Sequence, residues 1–150
     1  MLSIRKATPG DAEALHELYF QHLTDHPAQE AQDLDKWREK LTRFQQNSLY
    51  HVLVGEMEGK VVSSVTLVIV ENLTHNLRPY ALIENVVTHA DFRGRGYAGA
   101  LMEKAKQTAK EYGCYKVMLL TGSKRDSTLR FYENRSFNRE DKTAFIYWIE

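Results

Sequence analysis

Apolar and polar positions alternate from Leu2 to Lys6, the period of a short strand. Thr8-Pro9-Gly10-Asp11 then supplies helix-start chemistry, and Ala12, Leu15, Leu18 and Tyr19 recur at helical spacing until Pro27 interrupts after His26. Leu34, Trp37, Leu41 and Phe44 mark one apolar face of a second helix. From Tyr50 the period changes. Tyr50 to Glu56 and Lys60 to Glu71 are valine-rich and β-branched, and Met57-Glu58-Gly59 between them reads as a hairpin turn. Leu73 to Pro79 is loop-like, and Tyr80 to Thr88 is apolar on both faces, as a covered central strand should be.

A strong helix follows, with Ala98, Leu101, Met102, Ala105, Ala109 and Tyr112 on one face and Gly113 as its stop. Tyr115 to Leu120 predicts a strand, Asp126 to Asn134 a short helix, and Phe145 to Ile149 a last strand. The expected order is β-α-α-β-β-β-α-β-α-β, an α/β layered domain whose sheet is mixed because its first half is built from hairpins. No repeat, low-complexity segment or linker divides residues 1–150, so one domain is expected.

Composition narrows the classes. Twenty Lys and Arg balance twenty Asp and Glu. A neutral domain exerts no general pull on nucleic acid or an anionic membrane, so neither is an expected partner and any anion site must be local. Cys114 is the single cysteine, which excludes an intrachain disulfide and multi-thiolate zinc sites; it reads as a small buried residue at a strand start. The N-terminal stretch reaches Arg5-Lys6 without the apolar run of a signal peptide, and Val61 to Val70 is too short and too polar to span a bilayer. A cytoplasmic protein is expected.

The sharpest local signal is strand, glycine-bearing turn, helix, from Leu82 to Met102. Gly94 and Gly96 let the backbone take positive φ and approach a ligand closely. The next helix begins with unpaired N–H groups and the positive end of its dipole. Together they form a nest for phosphate oxygens, with Arg93 and Arg95 as nearby cations. A tight turn with solvated arginines gives the same spacing, so both readings stand on the glycines alone. A P-loop would need Gly-Lys-Ser/Thr, and a dinucleotide fingerprint a third glycine; both are absent.

Arg93-Gly94-Arg95-Gly96-Tyr97-Ala98 resembles the Gln/Arg-x-x-Gly-x-Gly/Ala motif of the GNAT superfamily of N-acetyltransferases, and it follows the strand Ile83-Glu84-Asn85-Val86-Val87 as in that family. The segment Leu129 to Phe137 resembles the family's Phe-Tyr-Glu-x-x-Gly-Phe, and the element order is similar too. The resemblance implies a mostly antiparallel mixed sheet flanked by helices, with the fourth and fifth strands splayed. It implies acetyl-CoA as acyl donor, with its pyrophosphate on the amides of Arg93, Gly94, Arg95, Gly96, Tyr97 and Ala98. The pantetheine arm would pair with the backbone of Val86, Val87 and Thr88. Ser136 stands where the family usually has glycine, and Arg125 where an asparagine often contacts the cofactor, so altered geometry is expected around the last strands.

Acyl transfer to an amine has two proton problems. An alkyl amine with a pKa of about 10 must lose a proton before it attacks, and the departing thiolate is best protonated as it leaves. Glu84 interrupts an apolar strand, sharing a face with Leu82 and Val86 if alternation holds; partial burial would raise its carboxyl towards a range useful for a base. Asn85 points to the other face or is re-aimed by a bulge. Tyr132 matches the Tyr of the family's Phe-Tyr-Glu segment and is the candidate acid. A backbone N–H on the same strand, that of Val86, would polarise the thioester carbonyl. Each has a plainer alternative: an ion-paired carboxylate for Glu84, an aromatic packed under the cofactor for Tyr132.

The acceptor is expected between the Tyr19–Phe44 region and the loop Glu71 to Tyr80, with Tyr19, His22, His26, Trp37, His75 and Tyr80 as possible liners. His22 and His26 are spaced like a metal pair but lack a supporting third ligand, so no metal is expected. The segments Ile83 to Val87, Arg93 to Arg95 and Gly113 to Val117 are also similar to glucosamine-6-phosphate N-acetyltransferases, in which two subunits complete the sugar-phosphate site. Phe145 to Ile149, apolar on both faces at the chain end, is a possible homodimer contact. The leading expectation is direct transfer from acetyl-CoA to a primary amine of a small molecule. The alternatives are a protein or peptide acetyltransferase and a non-catalytic acyl-CoA-binding regulatory domain.

Overall fold

The alternating segments assemble into one five-stranded sheet in chain order: β1 (Ser3–Lys6), β2 (Tyr50–Met57), β3 (Lys60–Val70), β4 (Tyr80–Thr88) and β5 (Val117–Leu119). The computed structural model describes residues 1–23 and 33–149. Neighbours run antiparallel from β1 to β4, and β5 joins β4 in parallel. The β2–β3 turn is the two-residue kind, with Glu58 and Gly59 both at positive φ (50° and 78°), which suits the right-handed twist of the strands it joins.

Helices cover both faces. α1 (Ala12–His22) and α2 (Leu34–Gln46) lie over one, where Leu15, Leu18 and Leu41 pack with Val52, Val54, Val61 and Val87. α4 (Tyr97–Glu111) lies over the other, where Leu101, Met102, Ala105 and Ala109 pack with Leu53, Val65, Leu67, Ile69, Ala81 and Ile83. Each fully buried leucine contributes about 2 kcal/mol, which is why a helix with one apolar stripe docks rather than frays. α5 (Asp126–Glu133) carries Phe131 and Tyr132 to the edge of the α4 layer. α3 (Thr74–Leu77) is a single left-handed turn, with His75, Asn76 and Leu77 at positive φ; it falls in the segment expected to be a loop. No helix among the described residues is long and apolar enough to cross a membrane.

Two features of β4 position the site. The register with β3 steps from Ser64↔Val87 to Thr66↔Glu84, so Asn85 and Val86 together oppose Val65, and Asn85 takes φ 53°. That is a bulge, which changes which face each later side chain meets. The β5 pairing covers only Ala81, Ile83 and Leu82 between them. From Glu84 to Thr88, β4 has no strand on its β5 side among the described residues, so the β4–β5 ladder ends at Ile83 and the two strands part.

The expected last strand does not form. Phe145 to Ile149 has no secondary structure, and Phe145, Tyr147 and Ile149 are about 90% exposed (91%, 90%, 90%). A strand needs a neighbour to satisfy its backbone, and among the described residues none lies beside it.

Candidate active site

The turn after β4 is shaped by its glycines. Gly94 and Gly96 have φ of 73° and 81°, a region closed to most residues with a Cβ, and an added Cβ at either would meet nothing within 4 Å. Conformation, not space, is what demands glycine here, and the turn is open to a ligand. Ala100 makes the first helical bond, to Gly96 O at 3.0 Å. The N–H groups of Tyr97, Ala98 and Gly99 therefore lie ahead of the ladder, aimed into the turn at the positive end of a 15-residue helix. These are donors for an anion, and they fit a diphosphate without any side chain.

The two arginines are more occupied than their spacing suggests. Arg93 donates from its guanidinium to Thr88 O (3.1 Å) and His22 O (3.0 Å), and its own amide donates to Ala90 O. Arg95 donates to Asp91 O (3.1 Å) and lies over the Phe92 ring. They keep their charge near the turn while bracing its backbone. Gly99 was not among the expected site residues. A Cβ there would come within 2.3 Å of Arg135, whose guanidinium lies 3.8 Å from the Phe131 ring centre and donates to Phe131 O. Gly99 thus lets α5 dock on the first turn of α4.

Upstream, the splayed stretch of β4 presents the candidate cofactor strand. Val86 turns to the α4 layer, while Val87 is buried on the α1–α2 side. Val87 O accepts from Ser63 Oγ (2.9 Å), and Thr88 Oγ1 lies 2.9 Å from the same hydroxyl. Buried Ser63 therefore pins the strand from its β3 side and leaves the β5 side open.

Glu84 requires a correction on two counts. It is exposed rather than partly buried, and it does not share a face with Val86, because the bulge at Asn85 reverses the alternation between them. Its cross-strand partner is Thr66. Burial, then the charges of Tyr19 and Glu84, push up the phenol of Tyr50, which packs on the α1–α2 face. The same face holds Tyr19, whose hydroxyl is 3.5 Å from Ser64 Oγ and whose ring is 5.9 Å from that of Trp37. Tyr50 stacks on Phe44 at 3.9 Å. Tyr50, Ser64 and Thr66 were missed in the sequence; their signal was polar groups inside a valine-rich hairpin.

Tyr132 comes from the other side. It packs on the α4 layer with Val86, Leu119, Phe131 and Phe137, its ring centre 5.1 Å from Phe131 and 6.3 Å from Phe137. Burial pushes its phenol up, so it stays protonated at neutral pH and keeps a proton to give. Glu84 and Tyr132 thus stand on opposite faces of the sheet, with the gap between β4 and β5 joining them.

Other expected liners fall elsewhere. His75 stacks on Tyr115 (3.8 Å), and Arg78 donates to Gly113 O and Cys114 O, so the loop before β4 is fastened to the far end of the strand from the glycine turn. His26 lies outside the described residues. Glu17, His22 and His89 bring ligand-capable atoms within 4.8 Å of one another. Yet His22 Nδ1 accepts from Ala90 N–H and His89 Nδ1 from Asp91 N–H. A metal-bound imidazole needs the reverse, its other ring nitrogen donating to an acceptor. Both Nδ1 atoms are placed as acceptors of backbone N–H groups.

Residues 12–137 match the acetyltransferase (GNAT) family. A glucosamine 6-phosphate N-acetyltransferase of Trypanosoma brucei brucei is 29% identical over 121 residues, 81% of this chain and 79% of that protein. A solved structure from Agrobacterium tumefaciens str. C58, carrying a provisional acetyltransferase name, is 38% identical with a TM-score of 0.84, covering 97% of this chain and 99% of that one. The Arabidopsis thaliana glucosamine-6-phosphate N-acetyltransferase structure superposes with a TM-score of 0.83 at 22% identity, over 99% of both chains. With a splayed β4, a bulge at Asn85 and bare amides at the head of α4, the chain belongs to the GNAT family of acetyltransferases.

Proposed function

We propose that this enzyme transfers an acetyl group from acetyl-CoA directly to the primary amine of a small molecule. The observation that carries the reading is the continuity of two backbone features: a stretch of β4, Glu84 to Thr88, whose β5 side has no strand partner among the described residues, leading into the amide turn of Gly94 to Gly99. One offers an extended thioester arm a strand to pair with, and the other receives a diphosphate.

Acetyl-CoA supplies the acetyl thioester. Glu84, exposed on the α1–α2 face, accepts the proton that the ammonium must lose, directly or through water. The amine nitrogen then forms its bond to the carbonyl carbon, and Val86 N–H steadies the charge developing on the carbonyl oxygen. As the C–S bond breaks, Tyr132 gives its phenol proton to the sulfur. The second proton, shed by the nitrogen once its bond to carbon has formed, returns through water to the Tyr132 phenolate, and Glu84 releases the first to solvent. The opposed placement of Glu84 and Tyr132 suits this order, because amine and thiol approach and leave from different sides of the sheet. Tyr19, Trp37, Phe44 and Tyr50 give the acceptor face aromatic walls next to a carboxylate, which favours an organic ammonium.

The relatives named for glucosamine 6-phosphate make an amino-sugar phosphate one member of the acceptor set to be tried. The exposed run Phe145 to Ile149 supports a homodimer that covers it. A thiol-release assay with acetyl-CoA against alkylamines, aralkylamines, amino acids, aminoglycosides and glucosamine 6-phosphate tests the reading. Release that depends on a small amine is expected. Release only with peptides, or acetyl-CoA uptake without release on any amine, would contradict it.

A further inference from the structure

The segment that carries the amide turn is held to β3 by His89 N–H, which donates to Val62 O, and to α1 by His22. His22 ends α1. Its carbonyl, in the last turn of the helix, accepts from the Arg93 guanidinium at 3.0 Å. Its Nδ1 accepts from Ala90 N–H at 3.3 Å, and its ring lies 4.1 Å from that of His89, the residue before Ala90. Three contacts from one residue thus fix both ends of 89–93, the stretch that joins β4 to Gly94.

We propose that His22 is a positioning residue for the acyl donor: its neutral imidazole, as acceptor, holds the Ala90–Arg93 segment so that the amides after it face the diphosphate. This rests on the acetyl-CoA reading above and adds a requirement to it. An acceptor at Nδ1 must be unprotonated, so the clamp is made only by neutral His22. Burial, then His89 and Arg93, push its pKa down, while Glu17 on α1 and Asp91 beyond β4 push the other way. The net direction is down, so the neutral form prevails at neutral pH.

The sign follows. For a histidine lowered in the folded state, the contribution is full above its ordinary range near 6.5 and is lost as pH falls through the lowered folded value. Protonation puts an N–H where Ala90 already points one, and adds a cation beside Arg93 and His89. The clamp opens, and donor affinity falls. The extra positive charge itself would attract phosphate, so an opposite pH trend is a real competitor.

The test is the dissociation constant of acetyl-CoA, read by calorimetry from pH 8.5 downwards in the parent, His22→Asn and His22→Ala, with thermal midpoints recorded for all three. Asparagine keeps an acceptor oxygen near the place of Nδ1 and does not titrate. Losing one hydrogen bond of about 1 kcal/mol weakens binding about five-fold. His22→Ala should be weaker by that factor at pH 8. His22→Asn should match the parent at pH 8 and bind better than it once the pH, lowered as far as both proteins stay folded, passes through the lowered value of His22. Titration of the donor's own phosphates is common to all three proteins and cancels in the comparison. His22→Ala binding as tightly as the parent, parent and His22→Asn profiles that superimpose, or tighter parental binding in acid would each overturn the proposal. A parent that takes up no acetyl-CoA at any pH overturns the donor reading as well, and is told apart by that.

Discussion

At the scale of the residue, the proposed mechanism assigns the proton transfers to two side chains. Glu84→Gln keeps shape and removes the acceptor, so turnover should fall about a hundredfold, more at low pH, where fewer amine molecules are already deprotonated. Acetyl-CoA affinity should not change. Parallel pH profiles for variant and parent would remove Glu84 from the mechanism. Tyr132→Phe should slow turnover about tenfold, since a thiolate is a good leaving group and needs its acid less. Unchanged turnover would leave Tyr132 a packing residue. Both residues could be picked out in the sequence, Glu84 as a carboxylate inside an apolar strand and Tyr132 by resemblance. Their surroundings could not. A bulge is a disagreement between two strands, and nothing in Ile83-Glu84-Asn85-Val86 by itself says that Asn85 will take φ 53° and turn Val86 away from Glu84's face.

At the scale of the element, the junctions show where local chemistry decides. Asp11, nearly buried before α1, accepts from Thr8 N–H (2.8 Å) and from both Arg5 terminal nitrogens (2.7 and 2.9 Å). Burial works against its charge, but Arg5 and Thr8 outweigh it and hold the carboxyl below the usual range. Asp11→Ala should cost about 2 kcal/mol, less than a fully buried pair because Arg5 is partly solvated. That contribution is full above the ordinary aspartate range and lost as acid takes the pH through the lowered folded value, so denaturation curves of variant and parent should converge there. At the other end, Ser136 takes φ 68° after α5, in the position where the family's glycine is expected. The turn survives the replacement at the cost of backbone strain. Ser136→Gly should raise stability by about 0.5–1 kcal/mol, strain relief exceeding the extra unfolded-state entropy. A lower thermal midpoint would show that the serine is not strained. Thr8-Pro9-Gly10-Asp11 and Gly113 were legible as boundaries because capping and stopping are local. The fate of Phe145 to Ile149 was not, because an apolar alternation says that a segment wants cover and not what will cover it.

At the scale of the whole molecule, the order of the main elements as far as α5, the mixed sheet and the two covered faces follow from period and turn chemistry, while the last strand expected at Phe145 to Ile149 does not form. The splay is the part that period cannot show: β5 pairs over Val117–Leu119 and stops, although the apolar run around it is longer. If the exposed tail is covered by a second copy, the parent should sediment as a dimer and a chain ending at residue 143 as a monomer of lower stability. A monomeric parent would leave the tail's exposure without this explanation. The most direct check on the account is calorimetric titration of acetyl-CoA into the parent and Gly96→Val. A Cβ at this position meets nothing within 4 Å beyond its chain neighbours, so the effect is chiefly on φ and hence on the direction of the amides. Saturable one-to-one binding by the parent and at least tenfold weaker binding by the variant, with both folded, are predicted from a strain of about 1–2 kcal/mol. Equal affinity in the two proteins would mean that the head of α4 does not hold the donor.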